Sequence, residues 1–178
     1  MRNPLLPTLL AFGLMLVPAM AQDVAPVSTL PGGAQSLTEE HGDWTVSCRL
    51  ENAAKLCVMS QTLADSQSGQ PVLSVELATP AIDKAEGMLL LPFGLRLADG
   101  ATLKVDGTAL GNNRAFVTCI ATGCLVPVTF DASQISTLRA GTELVISAHG
   151  AGAGDPVDLK VSLTGFARAA NRSVELSL

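Results

Sequence analysis

Residues 116–130 read FVTCIATGCLVPVTF, placing Cys119 and Cys124 in an apolar, β-branched run with four residues between them. If Ala121-Thr122 turns the chain, Cys119 faces Cys124, Val117 faces Val126 and Ala115 faces Val128. Residues two apart on a strand share a face, so all six then lie on one apolar side. Opposed residues of an antiparallel pair sit ~4.5–5.5 Å apart at Cα, within the span a disulfide bridges. A longer turn with Gly123 in the left-handed position would shift this register by one residue. On this reading the Cys119 sulfur is buried and inert.

Cys48 and Cys57 fit the same scheme. DWTVSCRL alternates Trp44, Val46, Cys48 and Leu50 against Thr45, Ser47 and Arg49, the period of a half-buried strand. KLCVMSQTL follows after a polar turn at Glu51-Asn52. The pairs Cys48–Cys57 and Cys119–Cys124 are therefore expected as structural disulfides. A zinc site calls for C-x-x-C knuckles or interleaved histidines, and a redox centre for C-x-x-C with an exposed thiolate. The chain has neither spacing, and its two histidines are His41 and His149.

Disulfides need an oxidising compartment, and the N-terminus supplies the route. Arg2, the apolar stretch Leu5–Val17 and PAMA at 18–21 have the n-, h- and c-regions of a signal peptide. Residues 1–21 are thus expected to be removed, with Gln22 as the first mature residue. The apolar run is shorter than the roughly 20 residues that span a bilayer, and no second such run follows. Residues 22–42, rich in Pro, Gly, Ser and Gln, read as a flexible tether. Residues 43–178 read as one domain. The formal net charge is −5 and aromatic residues make up 3% of the chain, with no Tyr. That excludes the cationic stripe or stacking platform of a nucleic-acid binder.

Strands are expected at 44–50, 56–63, 72–78, 88–91, 102–105, 116–120, 125–130, 143–148 and 159–164. Turn signals separate them, among them Pro80, Asp99-Gly100, Asp106-Gly107 and the GAGAGDP loop. Many short strands with Gly, Asp and Pro turns predict an all-β sandwich. DASQISTLRAG predicts a short helix capped by Asp131 or Ser133 and stopped by Gly141. GFARAANRSVEL predicts a final helical turn or two, with Phe166 in the core. Residues 87–107 read as two antiparallel strands with a kink at Pro92-Phe93-Gly94 and a turn at Asp99-Gly100. Pro cannot donate to a ladder and belongs at an edge or irregularity. The same kink could present Pro92 and Phe93 to a partner, which makes them the candidate binding residues.

The order of these motifs resembles the invasion-associated locus B family of exported bacterial proteins. GDWTVSC, CVMSQ, LLLPFGLRLADGATLKVDG, FVTC, GC and VSLTGFARA carry the likeness, which runs from about Gly42 to Ala170. The resemblance implies an immunoglobulin-like β-sandwich from a Gram-negative bacterium, placed in the periplasm or outer envelope or secreted. Some pathogenic members are linked to host-cell entry. No cofactor, catalytic residue or metal is implied. The expected activity is binding of a protein or envelope partner.

Two alternative functions stand beside binding. One is an envelope hydrolase using His149, with Asp155 near it in sequence but no G-x-S-x-G elbow. The other is a purely structural envelope component. GAGAGD lacks the Lys-Ser/Thr of a phosphate loop. Turn aspartates such as Asp99, Asp106, Asp155 and Asp158 lack EF-hand spacing and are expected to cap their own backbone.

Overall fold

The computed structural model describes residues 29–52, 54–67, 69–152 and 156–178. Eleven strands form two antiparallel sheets. The larger contains β1 (Ser36–His41), β2 (Trp44–Glu51), β3 (Ala54–Ala64), β4 (Pro71–Ala81), β5 (Lys84–Leu91), β8 (Thr118–Ile120) and β9 (Gly123–Phe130). Their order is β1-β2-β3-β4-β5-β9-β8. The smaller contains β6 (Ala101–Val105), β7 (Thr108–Ala109), β10 (Glu143–His149) and β11 (Pro156–Ser162), in the order β11-β10-β6-β7. Helix α1 (Ala132–Ala140) follows β9, and α2 (Phe166–Ser177) closes the chain. The architecture is the all-β sandwich with two helices that the turn-punctuated pattern calls for.

Alternation builds the core. Val46 and Cys48 of β2, Cys57 and Met59 of β3, Leu73, Val75 and Leu77 of β4, and Val126 and Val128 of β9 all point inward and are buried. From the smaller sheet come Leu103, Leu144, Ile146 and Val161. Helix α2 lies over β2, β3 and β4. Its Phe166, Ala169, Ala170, Ser173 and Leu176 recur at helical spacing and are buried. It is a full twelve-residue helix, longer than the turn or two expected. Small Ala side chains on its inner face let it seat closely on the sheet.

A polar clamp joins the two sheets. Ser162, at the end of edge strand β11, donates its N–H to Gln61 Oε1 at 3.0 Å and accepts from Gln61 Nε2 at 3.0 Å. Its carbonyl also accepts from Trp44 Nε1 at 2.9 Å. Buried amides and indole N–H groups need such partners, which is why Gln61 is tolerated inside. Asp106 makes a second long-range tie. Its carboxylate accepts from Thr142 N–H, Thr142 Oγ1 and Glu143 N–H at 3.0, 2.6 and 3.0 Å. It thus caps a neighbouring strand rather than its own turn, and these bonds hold its carboxyl below the usual range.

Both expected disulfides are present. Cys48 pairs with Cys57 and Cys119 with Cys124, each across an antiparallel register that opposes the two residues. Crosslinks closing such short loops restrict the unfolded chain by about 2–3 kcal/mol each in the entropic account. The two-residue turn at Ala121-Thr122 sets the register, as Ile120 opposite Gly123 shows. The expectation that the Cys119 sulfur is buried fails. Cys124 is buried, but Cys119 is exposed and Val117 is 59% exposed. The reason is position: β8 is the edge of the larger sheet, three residues long and exposed throughout.

Three further corrections follow from pairing. Residues 36–41, placed in the tether by their polarity, form edge strand β1, with Ser36 opposite Arg49 and His41 opposite Trp44. Alternation is present but subtle: Leu37, Glu39 and His41 are half-buried, and Ser36, Thr38 and Glu40 are exposed. Leu30 is also buried. Residues 1–28, including the signal peptide and the start of the tether, lie outside the described residues. Second, β5 and β6 are not partners. Both edges of β5 are taken by β4 and β9, so residues 92–100 cross to the other sheet through a 3-10 turn at Leu97–Asp99. Third, Pro80 lies within β4 beside a register irregularity, and the turn comes at Ile82-Asp83.

Strand β1 is fastened by charge. Arg172 of α2 donates Nε to Glu39 Oε2 at 2.7 Å and Nη2 to Glu39 Oε1 at 2.8 Å. His41 Nε2 lies 3.3 Å from the same carboxylate. The Arg172 hydrogen bonds, followed by its charge, hold the Glu39 carboxyl below its ordinary 4.5, with burial opposing. A group whose pKa is lowered on folding stabilises above its unfolded value and loses that contribution as pH falls through the folded one. Glu39→Gln therefore lowers the Tm at pH 7 and flattens its fall between about pH 5 and 3. Parallel Tm–pH curves for the two proteins would refute the tie.

Candidate functional site

The candidate binding residues lie where the two sheets are bridged. Leu91 pairs with Cys124, which brings the end of β5 to the disulfide hairpin of β8 and β9. Pro92 has no N–H to continue the ladder, and the chain leaves the sheet there. Phe93 follows and is 59% exposed. Gly94 then turns at φ 82°, and its carbonyl accepts from Ala151 N–H at 2.7 Å. Leu95 bridges to Gly150, and Arg96 N–H donates to the His149 carbonyl at 2.8 Å. The kink is thus anchored on both sides while the ring stays free. Ile120, at the hairpin turn, is 48% exposed. Phe93 is thus exposed on an anchored kink, and Val117 and Ile120 are exposed on the disulfide hairpin that the end of β5 meets.

On the outer face of the larger sheet beside this end is a depression of about 210 Å³. Met88, Leu90, Ile120 and Leu125 form its apolar lining, and Ser74 and Glu76 of β4 close the far side.

His149 belongs to a different neighbourhood. Its Nδ1 is 3.5 Å from Asp99 Oδ2, which Arg96 Nη1 also approaches at 3.2 Å. Ser147, two residues earlier on the same strand face, donates its hydroxyl to Asp158 at 2.6 Å. Asn113 Nδ2 caps the Asp99 carbonyl. Asp99, Asn113, Ser147, His149 and Asp158, with Thr102 and Lys104, surround a polar depression of about 310 Å³ on the smaller sheet. The arrangement pairs an imidazole with a carboxylate but gives it no nucleophile. Among the described residues no serine hydroxyl bonds His149, and Asp155 lies outside them. Sequence reasoning did not find Asp99 as the partner of His149, because only the crossover from β5 to β6 brings them together.

A third cavity, about 600 Å³, lies at the opposite end of β5 and β9. Arg114, Lys84, Asp83 and Asp131 place two cations and two carboxylates around it. The Arg114 Nε is buried without a hydrogen-bond partner. Asp131 is occupied in capping α1, with its carboxylate taking Ser133 Oγ at 2.7 Å and Gln134 N–H at 2.9 Å. Among the described residues, no three His, Cys, Asp or Glu side chains converge to hold a metal ion. No described helix is long and apolar enough to cross a membrane.

Residues 44–174 match the family model described as invasion associated locus B (IalB) protein. The chain belongs to the IalB family. An IalB relative, an invasion protein B homolog of Brucella abortus, is 46% identical over 154 residues, covering 86% of this chain and 88% of its own. Invasion protein B of Bartonella bacilliformis is 35% identical over 166 residues, covering 89% of each. The crystal structure of invasion associated protein b from Bartonella henselae superposes with a TM-score of 0.73 at 32% identity, covering 79% of this chain and 96% of that one. All four cysteines and the Pro92-Phe93 kink fall within the residues that the IalB family model spans. Two disulfides and IalB membership are consistent with an extracytoplasmic protein.

Proposed function

We propose that this protein works outside the cytoplasm, in the periplasm or outer envelope or after secretion, by binding a protein or envelope partner, and not by catalysis. The observation that carries this reading is the exposed Phe93 ring, held out on a kink whose backbone is anchored to β9 on one side and to residues 149–151 on the other. Aromatic side chains are enriched at the centres of protein interfaces. The pocketed chemistry elsewhere lacks a nucleophile–base pair, which argues against the hydrolase reading. That its relatives are named invasion proteins extends the proposal to contact with a host cell.

The test places a photo-cross-linker at Leu97, which is 41% exposed and four residues after Phe93, in the full chain made in its own bacterium. A discrete adduct identifiable by mass spectrometry is expected. Burying a Phe ring contributes about 1.5–3 kcal/mol, so Phe93→Asp should reduce that adduct by roughly tenfold or more. An adduct unchanged by Phe93→Asp would overturn the assignment of this end as the binding surface.

A further inference from the structure

Arg114 is unlike the other described arginines. Arg49, Arg96, Arg139 and Arg172 each donate to a carboxylate, amide or carbonyl oxygen, and Arg168 is exposed. Arg114 is half-buried, with its Nε fully buried. Among the described residues its guanidinium donates no hydrogen bond and joins no ion pair. A guanidinium stays charged in proteins and has five N–H donors, so this one calls for acceptors from outside the chain. Mutual backbone bonds of 2.8 Å with Ala101 fix Arg114 beside β6, and its side chain lines the 600 Å³ cavity.

A second donor meets it there. The capping box of α1 holds the Gln134 side chain, whose Oε1 accepts from Asp131 N–H at 3.1 Å. Gln134 Nε2 gives one hydrogen to a 3.4 Å bond with the Leu110 carbonyl, which leaves its other hydrogen free. Gly111, at φ +84°, keeps open the point between the two donors. A Cβ there would lie 2.6 Å from Gln134 Nε2 and 3.4 Å from Arg114 Nη2. Two N–H donors around one open point suit the paired oxygens of a carboxylate.

The cavity is not simply basic. Lys84 is answered by Glu86 at 3.3 Å. Asp83 is exposed in the β4–β5 turn and, among the described residues, has no hydrogen bond or ion pair. Asp131 caps α1 through Oδ1 alone, which leaves Oδ2 available. Its bonds from Ser133 and Gln134 hold its carboxyl below the ordinary 3.8, so it is ionised. The two carboxylates repel a plain anion, and Arg114 repels a plain cation. We propose that this cavity binds a small zwitterion, an amino acid or dipeptide. Arg114 and Gln134 receive its carboxylate, and Asp83 and Asp131 receive its ammonium group. The volume is within the range of small-molecule sites, and the site is independent of Phe93.

The test titrates L-alanine and L-alanyl-L-alanine into the isotope-labelled full mature chain and follows the Gln134 side-chain amide and the Gly111 N–H by NMR. Saturable shifts are expected. Saturation by alanine marks the ligand as a free amino acid, and saturation by the dipeptide alone marks it as a peptide. Converting the carboxylate of the bound probe to its amide, or acetylating its amine, should each weaken binding roughly tenfold or more, the scale of one charged hydrogen-bonded contact. Arg114→Gln should weaken the zwitterion by a similar factor and leave the amide form unaffected. Asp83→Asn should weaken the zwitterion and leave the acetylated form unaffected. If Arg114→Gln does not fold, Asp83→Asn, at an exposed turn, decides the matter with the two blocked probes. No saturable shift with either zwitterion, or binding indifferent to blocking of either end, overturns the proposal. So does zwitterion binding that survives unchanged in Asp83→Asn or in a folded Arg114→Gln.

Discussion

Trp44→Ala should lower the unfolding free energy by about 3–5 kcal/mol, the range for removing a buried aromatic side chain. Trp44 is 1% exposed and meets Phe166 edge to face, with centroids 5.2 Å apart and planes at 81°. Its indole N–H also bonds the Ser162 carbonyl, so the one side chain touches β11 and α2 from its place on β2. Ser162 keeps its Gln61 bonds after the substitution, which confines the loss to the cavity and one hydrogen bond. Trp44→Phe, retaining most of the ring, should cost less. Urea denaturation followed by far-UV circular dichroism measures both, since Trp44 is the only Trp and its own fluorescence is lost with it. A loss below about 1 kcal/mol for Trp44→Ala would mean that the corner is loosely packed.

The strands that sequence reasoning located best are those whose alternation is apolar against polar. β2, with Trp44, Val46 and Cys48 inward, and β9, with Val126 and Val128 inward, begin and end within a residue or two of expectation. The cysteine pairings were legible for the same reason, because register follows from a turn and a period of two. β1 was not, since its inward positions include Glu39 and His41, and a charged residue scores as solvent-facing unless its partner is known. That partner, Arg172, is 133 residues away. Pattern also overstated burial at β8. A period of two assigns residues to faces but says nothing about what lies over a face, and Cys119 and Val117 are on an uncovered rim.

The same limit applies to the candidate site. Phe93 stood out in sequence through the Pro92 kink, a local signal that needs no tertiary knowledge. Its place next to the disulfide hairpin depends on β5 pairing with β9, so that Leu91 reaches Cys124. Asp99 and His149 meet only because residues 92–100 pass from one sheet to the other. The crossover that the sequence could not show therefore separates two kinds of surface. It leaves an apolar rim on the larger sheet and a polar depression on the smaller one, and binding through the first does not require chemistry in the second.

Gly165→Ala should be as damaging as the loss of Trp44, although it adds only a methyl group. Gly165 sits at φ +91°, in the left-handed region that L side chains avoid, and a Cβ there would lie 1.7 Å from the His41 carbonyl oxygen. Gly42 faces it from the β1–β2 turn at φ +67°, and Asp43 N–H donates to the Thr164 carbonyl at 3.1 Å between them. Two glycines thus let the first hairpin rest directly on the entry to α2. The backbone strain contributes roughly 1–3 kcal/mol and the overpacking about as much again, for about 3–5 kcal/mol in all. The clash cannot be relieved by a rotamer change, because the obstructing atom is backbone. Moving β1 aside would also pull Glu39 from Arg172. In a domain of this size the expected fall in Tm is on the order of 10–15 °C. Gly152→Ala, where a Cβ meets nothing within 4 Å, should leave the Tm unchanged. If the two variants melt together, the β1–β2 turn does not bear on α2, and the hairpin's place over the helix entry is wrong.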